Sequence, residues 1–172
     1  MYKLLPIGGI GAELGVCRGH NAAHLFLCTK PEKLYLVDTW EFNPDTFIHH
    51  TPDLYYNDWQ DDVKDMFKEF LGDRVFTVKK TSVEFLSDLP DKYLDWVYID
   101  SSHDFDTTKK EIELSLKKVK TGGIISGHDF CVMEKVWKTS IIRVVINEIQ
   151  NGKLKMEAIT NEYFPSFCCR VI

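Results

Sequence analysis

Acidic residues end or closely follow four short apolar segments of the sequence: Glu13, Asp38, Asp100 and Asp129. Carboxylates bind cations, accept hydrogen bonds from sugar hydroxyls and exchange protons. A stretch with helical periodicity comes after each segment, which is typical of strands in a parallel sheet. Ligands bind beyond the carboxyl ends of such strands, near the point where the strand order reverses. We therefore expect the four carboxylates to share one edge of the sheet.

Two glycines, Gly15 and Gly19, follow Glu13 and precede a predicted helix. Glycine lets the backbone approach a ligand closely, and a helix N-terminus offers free N–H groups to a carboxylate or phosphate. The segment lacks the third glycine of the Gly-x-Gly-x-x-Gly dinucleotide fingerprint. Glu13 would also repel a pyrophosphate, whereas it suits a cationic ammonium or sulfonium. Taken alone, the segment could also be a plain tight turn.

Asp38 lies about 20 residues beyond this glycine turn, where the dinucleotide-binding fold carries an acidic residue on the ribose hydroxyls. An aspartate at this point could instead cap a turn or a helix. The glycine turn and Asp38 together favour an adenosine-containing ligand. Trp40, two residues further on, could pack on an adenine ring or belong to the core.

Asp100 and Asp129 follow strands that are normally neighbours, so their carboxylates could converge. With His128 they would form a hard site able to hold Mg²⁺, which would lower the pKa of a substrate hydroxyl and orient it. His103 has an intrinsic pKa near neutrality and is a candidate general base. Alternatively, these residues cap helices and bond to one another. His49 and His50 lie in a long irregular stretch that could face the substrate.

The composition of the 172 residues, 44% hydrophobic and 27% charged, predicts one globular domain over residues 1–172. A net charge of −5 disfavours nucleic acid as a partner. No apolar run approaches the roughly 18 residues of a membrane span, and no signal peptide is recognisable. The five cysteines include no Cys-x-x-Cys pair, which favours reduced thiols in a cytoplasmic protein.

Apolar runs alternate with helix-period stretches along the chain, which predicts an α/β fold with a doubly wound sheet closed by an antiparallel C-terminal hairpin. The expected strands cover 10–16, 33–38, 75–78, 94–100, 124–127, 155–160 and 166–172. The expected helices cover 21–28, 58–71, 81–86, 105–119 and 132–149, and a turn is expected at 121–123. The buried face of the fourth helix is expected to contain Phe105, Ile112, Leu116 and Val119.

Four motifs in this order resemble class I S-adenosylmethionine (SAM)-dependent methyltransferases, in particular the small group of macrocin-type O-methyltransferases and cephalosporin hydroxylase-like proteins. The motifs are Glu13-Leu14-Gly15-Val16 with Gly19, Leu36-Val37-Asp38-Thr39-Trp40, Val97-Tyr98-Ile99-Asp100 with His103, and Gly122-Gly123-Ile124-Ile125-Ser126-Gly127-His128-Asp129-Phe130. The resemblance extends from about Ile10 to the C-terminal hairpin.

The resemblance implies a Rossmann-like, seven-stranded sheet of order 3-2-1-4-5-7-6 with an antiparallel last strand. It places the amino-acid end of SAM near the first turn, the ribose on the residue after the second strand, and the adenine near the residue pair after the third. The cofactor-binding residues implied in this way are Glu13, Gly15, Val16, Gly19, Asn21, Asp38, Thr39, Trp40, Thr81, Ser82 and Asp100.

Two features depart from the family pattern. His128 stands where metal-dependent relatives carry one acid of a pair, while Asp100 and Asp129 match, and His103 falls where relatives carry a basic group. Only about nine residues precede the first strand, where relatives have helices that cover SAM. The cover would come from a homo-oligomer, or the site is open, or the sequence is a truncated form.

Three functions compete on these grounds. The leading one is methyl transfer from SAM to a hydroxyl of a small molecule such as a sugar, assisted by Mg²⁺ in one version, with Asp100 and His103 as catalytic residues. Under this hypothesis, replacing Asp38 by alanine should abolish cofactor binding and leave the fold intact. The second is a SAM- or nucleotide-binding module without catalysis. The third, an NAD-dependent oxidoreductase, is disfavoured by the incomplete glycine fingerprint.

Overall fold

A computed structural model describes residues 1–41, 56–102, 104–131 and 141–172. In chain order the strands are β1 (Ile10–Leu14), β2 (Lys33–Asp38), β3 (Val75–Lys79), β4 (Leu94–Ile99), β5 (Val119–Gly127), β6 (Leu154–Ile159) and β7 (Phe167–Val171). The helices are α1 (His20–Thr29), α2 (Tyr56–Met66), α3 (Ser82–Asp88), α4 (Phe105–Lys118) and α5 (Ile141–Gln150), and a short 3-10 helix covers Tyr2–Leu4.

The seven strands form one sheet of order β3-β2-β1-β4-β5-β7-β6, which confirms the predicted fold. The pairs from β3 to β5 are parallel, whereas β7 runs antiparallel to both β5 and β6. The strand order reverses between β1 and β4. Their carboxyl ends therefore diverge into loops on opposite faces and leave room for a ligand between them.

Alternating side chains in the strands supply two separate hydrophobic layers, one on each face of the sheet. In β4, Trp96 and Tyr98 belong to the layer covered by α1 and α2, while Val97 and Ile99 belong to the layer covered by α3, α4 and α5. Trp96 is fully buried at the centre of the sheet. This sandwich fixes the strand ends, and with them the residues of the site.

Two sequence expectations, one about β5 and one about α4, were wrong. A turn was predicted over residues 121–123, but β5 begins at Val119 and contains them. The ladder to β4 shifts its register between Leu94 and Trp96, so the glycines lie in an irregularity of the strand instead. In α4, Phe105 was expected in the buried face and is 39% exposed, because the buried stripe passes through Thr108, Ile112 and Ser115.

Helix α2 ends at Met66, earlier than the predicted Leu71, and the residues that follow form turns. The predicted start of the last helix at Val132 lies outside the described residues, which resume at Ile141. All five cysteines are free thiols. None of the helices within the described ranges has the length and apolar character required to cross a membrane.

Candidate active site at the carboxyl edge

The predicted gathering of strand ends is present at the carboxyl edge of the sheet. The Gly15 N–H donates to the Val37 carbonyl (2.9 Å), and the Asp100 N–H donates to the Leu14 carbonyl (2.8 Å). The His128 N–H donates to the Ile99 carbonyl at 3.0 Å. Backbone hydrogen bonds thus join the segments after β1, β2, β4 and β5.

Glu13 is a buried carboxylate in the middle of this edge, with only 1% of its surface exposed. Its Oε1 accepts a hydrogen bond from Asn21 Nδ2 (2.8 Å), on the first turn of α1. Its Oε2 has no hydrogen-bond partner among the described residues. Burial raises the pKa of Glu13 well above its ordinary value, and the nearby Asp100 and Asp38 carboxylates raise it further. A buried carboxylate with one unsatisfied oxygen is suited to a cationic ligand.

Gly15 and Gly19 both have positive φ angles, +86° and +81°, which favour glycine. A Cβ added at Gly15 would lie 2.0 Å from the carbonyl oxygen of Asp100. The contact between the ends of β1 and β4 therefore requires a glycine at this position, whether or not a ligand binds beside it. Gly19 occupies the N-cap of α1, where no side chain of the described residues caps the free N–H groups, and a Cβ there would approach Val63 to 3.0 Å.

Asp38 uses both carboxylate oxygens to hold two loops. Its Oδ2 accepts hydrogen bonds from the N–H groups of Val16 (2.8 Å) and Cys17 (2.9 Å), and its Oδ1 accepts one from the Trp40 N–H (2.9 Å). Asp38 therefore caps the turns after β1 and β2, which is one of the two roles that the sequence left open. Each carboxylate oxygen has a second lone pair, so the same group retains acceptor capacity for ribose hydroxyls.

Trp40 is 2% exposed and belongs to the core layer beside α1 and α2. Its indole N–H donates to the Cys17 carbonyl at 2.9 Å, which fastens the loop after β2 to the turn after β1. The structure therefore gives Trp40 the core role that the sequence left open. Thr39 is half-buried, and its hydroxyl accepts from the Glu41 N–H at 3.4 Å.

Thr81 and Ser82 follow β3 and have different surroundings. Thr81 is exposed and forms a capping box with Glu84 at the start of α3. Ser82 is buried and donates a short hydrogen bond to Glu111 on α4, which also accepts one from Ser101 after β4. The Glu111 carboxyl thus links the ends of β3 and β4 beneath the edge.

Asp100, His128 and Asp129 form the cluster that the sequence predicted. His128 Nδ1 lies 3.1 Å from Asp129 Oδ1 and 3.8 Å from Asp100 Oδ1. One potential ligand atom from each residue lies within 4.8 Å of the others, which is compatible with a single shared cation. These residues line a cleft together with Ser101, Ser102, Thr108, Ile99 and Ile141.

Charge coupling shifts the proton affinities in this cluster. Burial raises the pKa of Asp100 to about 6, while His128 opposes that rise and Asp129 adds to it. The hydrogen bond to Asp129 raises the pKa of His128 above its ordinary value. A group with a pKa near 6 beside a histidine can exchange protons near neutral pH.

His103, the predicted general base, lies outside the described residues, as do His49 and His50. Sequence reasoning missed two contributors to the edge, Glu111 and Tyr2. Glu111 could have been found as a charged residue inside the buried stripe of its helix. Tyr2 contacts residues far along the chain, and no pattern in the sequence indicated it.

Residues 12–130 match the family model described as a methyltransferase domain, which is more than half of the chain. The protein therefore belongs to this methyltransferase family. Among curated proteins, no sequence matches the chain.

Several solved structures share the fold. The precorrin-6y C5,15-methyltransferase of Geobacter metallireducens superimposes with a TM-score of 0.63 at 15% identity, covering 99% of this chain and 83% of that one. An rRNA methylase from Streptococcus thermophilus gives a TM-score of 0.63 at 11% identity, covering 99% and 91%. The 1,6-didemethyltoxoflavin-N1-methyltransferase of Burkholderia thailandensis, with bound 1,6-didemethyltoxoflavin and S-adenosylhomocysteine, gives a TM-score of 0.65 at 10% identity, covering 97% of this chain and 72% of that one.

Proposed function

We propose that this protein transfers a methyl group from SAM to a hydroxyl of a small molecule such as a sugar, as in the macrocin-type group that its motifs resemble. The observation that supports SAM as the cofactor is the buried Oε2 of Glu13, which has no partner among the described residues. It lies at the edge where this fold binds ligands. Together with the methyltransferase family, this favours a cationic, adenosine-containing cofactor over NAD.

We assign the residues of the edge to the parts of SAM in order. Glu13 would accept from the ammonium group, and the free N–H groups at the α1 N-terminus, next to Gly19, would receive the carboxylate. Asp38 would hold the ribose, and the segment Thr81–Ser82 would border the adenine. When bound, SAM supplies a methyl group on a positively charged sulfur, ready for in-line displacement. The chain contributes by fixing the positions of donor and acceptor.

The acceptor hydroxyl would lie in the cleft beside Asp100, His128 and Asp129. These side chains would accept a hydrogen bond from the hydroxyl and receive its proton as the oxygen attacks. Asp100 is well suited to this task, because its raised pKa of about 6 keeps proton transfer accessible near neutrality. His103 stays a prediction as an additional base.

The same three residues would hold Mg²⁺ if the reaction is metal-assisted. Two carboxylates provide the hard oxygen ligands that Mg²⁺ prefers, while His128 is a less usual ligand for this ion. The geometry allows a shared cation, since one ligand atom of each residue lies within 4.8 Å of the others. The metal would lower the pKa of the acceptor hydroxyl. Without metal, the ion pair of His128 with Asp129 would orient the same cleft.

A small-molecule acceptor is favoured over RNA by electrostatics. The net charge is −5, and the cleft itself carries the carboxylates of Asp100 and Asp129, which would repel a phosphate backbone. A homo-oligomer could cover the cofactor edge and is part of the proposal.

The test is transfer of an isotope-labelled methyl group from SAM to a panel of hydroxylated small molecules, sugars included, with structured RNA as a parallel acceptor. Asp100→Asn should lower transfer at least tenfold, because it removes the proton acceptor beside the hydroxyl. Labelled RNA with no labelled small molecule would contradict the acceptor class. Cofactor binding without transfer to any acceptor would favour the non-catalytic module.

Metal dependence is tested on any acceptor so found. Removal of divalent ions with EDTA should lower the rate, and added Mg²⁺ should restore it. A full rate in EDTA would show that the reaction needs no metal and would leave the ion pair as the function of His128.

A further inference from the structure

The N-terminal 3-10 helix Tyr2–Leu4 packs along α1, whose first turn faces the cofactor edge. The Tyr2 ring lies 5.9 Å from the His24 ring, measured between centroids. At the other end of α1, the Gly8 N–H donates to the Thr29 carbonyl at 2.6 Å. Leu5, between these contacts, is 4% exposed and belongs to the core layer of α1 and α2. The segment is therefore anchored to both ends of the helix.

A chain of hydrogen bonds runs from this segment to the buried carboxylate of the edge. The Tyr2 hydroxyl donates to Asn21 Oδ1 at 2.6 Å, and Asn21 Nδ2 donates to Glu13 Oε1 at 2.8 Å. An asparagine amide has an acceptor on one side and donors on the other. Because Tyr2 donates, the amide oxygen must face Tyr2 and the NH₂ group must face Glu13.

We propose that Tyr2 is a positioning residue for the cofactor, which acts through Asn21 to hold Glu13 with its free oxygen directed at the ammonium group of SAM. This inference rests on the proposed function and assigns the N-terminal segment to the cofactor site. Without the Tyr2 hydroxyl the Asn21 amide keeps only its hydrogen bond to Glu13. The amide is then less firmly fixed, and the carboxylate that it holds loses part of its fixed position.

The surroundings of Tyr2 support this role. Its hydroxyl lies near the carboxylates of Glu13, Glu162 and Asp100, and burial together with these charges raises its pKa above the ordinary value. The hydroxyl therefore keeps its proton near neutral pH and remains a donor.

The experiment compares two ligands by calorimetry. S-adenosylhomocysteine carries the amino-acid group, whereas 5′-methylthioadenosine carries only the adenosine and the thioether. Tyr2→Phe should weaken the binding of S-adenosylhomocysteine about five- to tenfold, the effect of losing one hydrogen bond in a relay. Binding of 5′-methylthioadenosine should not change. Tyr93→Phe is the matched control, since it removes a tyrosine hydroxyl that lies 3.0 Å from the Tyr35 hydroxyl.

A double-mutant cycle tests whether Tyr2 acts through Asn21. Asn21→Leu should weaken S-adenosylhomocysteine with the same ligand selectivity, and Tyr2→Phe should add nothing in that background. Additive effects would overturn the relay. Unchanged affinity in Tyr2→Phe, or an equal loss for both ligands, would also overturn it. Failure of the wild-type protein to bind S-adenosylhomocysteine would instead contradict the proposed function, so the two failures are distinguishable.

Discussion

At the scale of single residues, Asp38 shows how one carboxylate can serve both the fold and a ligand. It accepts hydrogen bonds from three main-chain N–H groups, those of Val16, Cys17 and Trp40. The sequence suggested that replacing Asp38 by alanine would remove cofactor binding and leave the fold intact. The structure changes that expectation, because the same substitution leaves the three N–H groups without their acceptor.

We expect Asp38→Ala to lower the free energy of unfolding by about 2 kcal/mol, in addition to abolishing cofactor binding. Urea unfolding without ligand measures the first effect and calorimetry the second. The exposed Asp73, at the turn before β3, provides the control through Asp73→Ala, which should change neither. If Asp38→Ala were as stable as the wild type, the three hydrogen bonds that Asp38 accepts would contribute nothing measurable to stability.

Glu111 is a second residue whose chemistry follows from its burial. It is fully buried and accepts hydrogen bonds from Ser82 and Ser101. Burial raises its pKa to about 7 from an ordinary value of 4.5. The folded state therefore binds a proton between these pH values that the unfolded state has released. Stability falls as the pH rises through this window, and the loss is complete above about pH 7.

Glu111→Gln keeps the shape of the side chain and removes its titration. Relative to the wild type, this variant should gain stability as the pH rises from 4.5 to 8, by about 3 kcal/mol in total. Urea unfolding of both proteins across this range gives the difference, in which the other titrating groups cancel. A difference that stays constant with pH would contradict the raised pKa of Glu111.

At the scale of elements, the site depends on close contact between the ends of β1 and β4. Gly15→Ala would place a Cβ 2.0 Å from the Asp100 carbonyl oxygen and should separate these two strand ends. We expect it to destabilise the fold by more than 3 kcal/mol, or to displace Asp100. Gly72→Ala is the control, because Gly72 has a similar positive φ of +76° and no atom of the described part of the chain lies within 4 Å of the added Cβ.

Thermal unfolding and cofactor titration of both glycine variants measure this contact. Gly72→Ala should lose only about 1 kcal/mol, from backbone strain alone, and should bind cofactor normally. If the two variants behaved alike, steric contact at Gly15 would not matter to the site.

The strands and helices themselves were largely predictable, because hydrophobic residues repeat with a different spacing in strands and in helices. The bounds of β2, Lys33–Asp38, agree with the structure residue for residue. The start of β5 was missed because glycines usually indicate a turn, whereas here they lie in a strand irregularity opposite β4. The exposed Phe105 was misassigned because an aromatic residue at the first position of a helix fits the periodic pattern without being covered.

At the scale of the whole molecule, the order of the seven strands followed from the motifs, and so did the gathering of acidic residues at one edge. The contacts that organise the edge were not predictable. The hydrogen bonds from Tyr2 to Asn21 and from Ser82 to Glu111 join residues 19 and 29 positions apart, and local patterns carry no signal for them. Trp40 likewise could be assigned to core or ligand only once its burial was known.

The most direct test of the account is calorimetric titration of the purified protein with S-adenosylhomocysteine, with NAD as the control ligand and Mg²⁺ both present and absent. We expect micromolar binding of S-adenosylhomocysteine and none of NAD, because the Oε2 of Glu13, unpartnered within the described residues, is placed to accept a hydrogen bond from an ammonium group, which NAD lacks. Preference for NAD, or binding of neither ligand, would contradict the assignment of this edge to SAM.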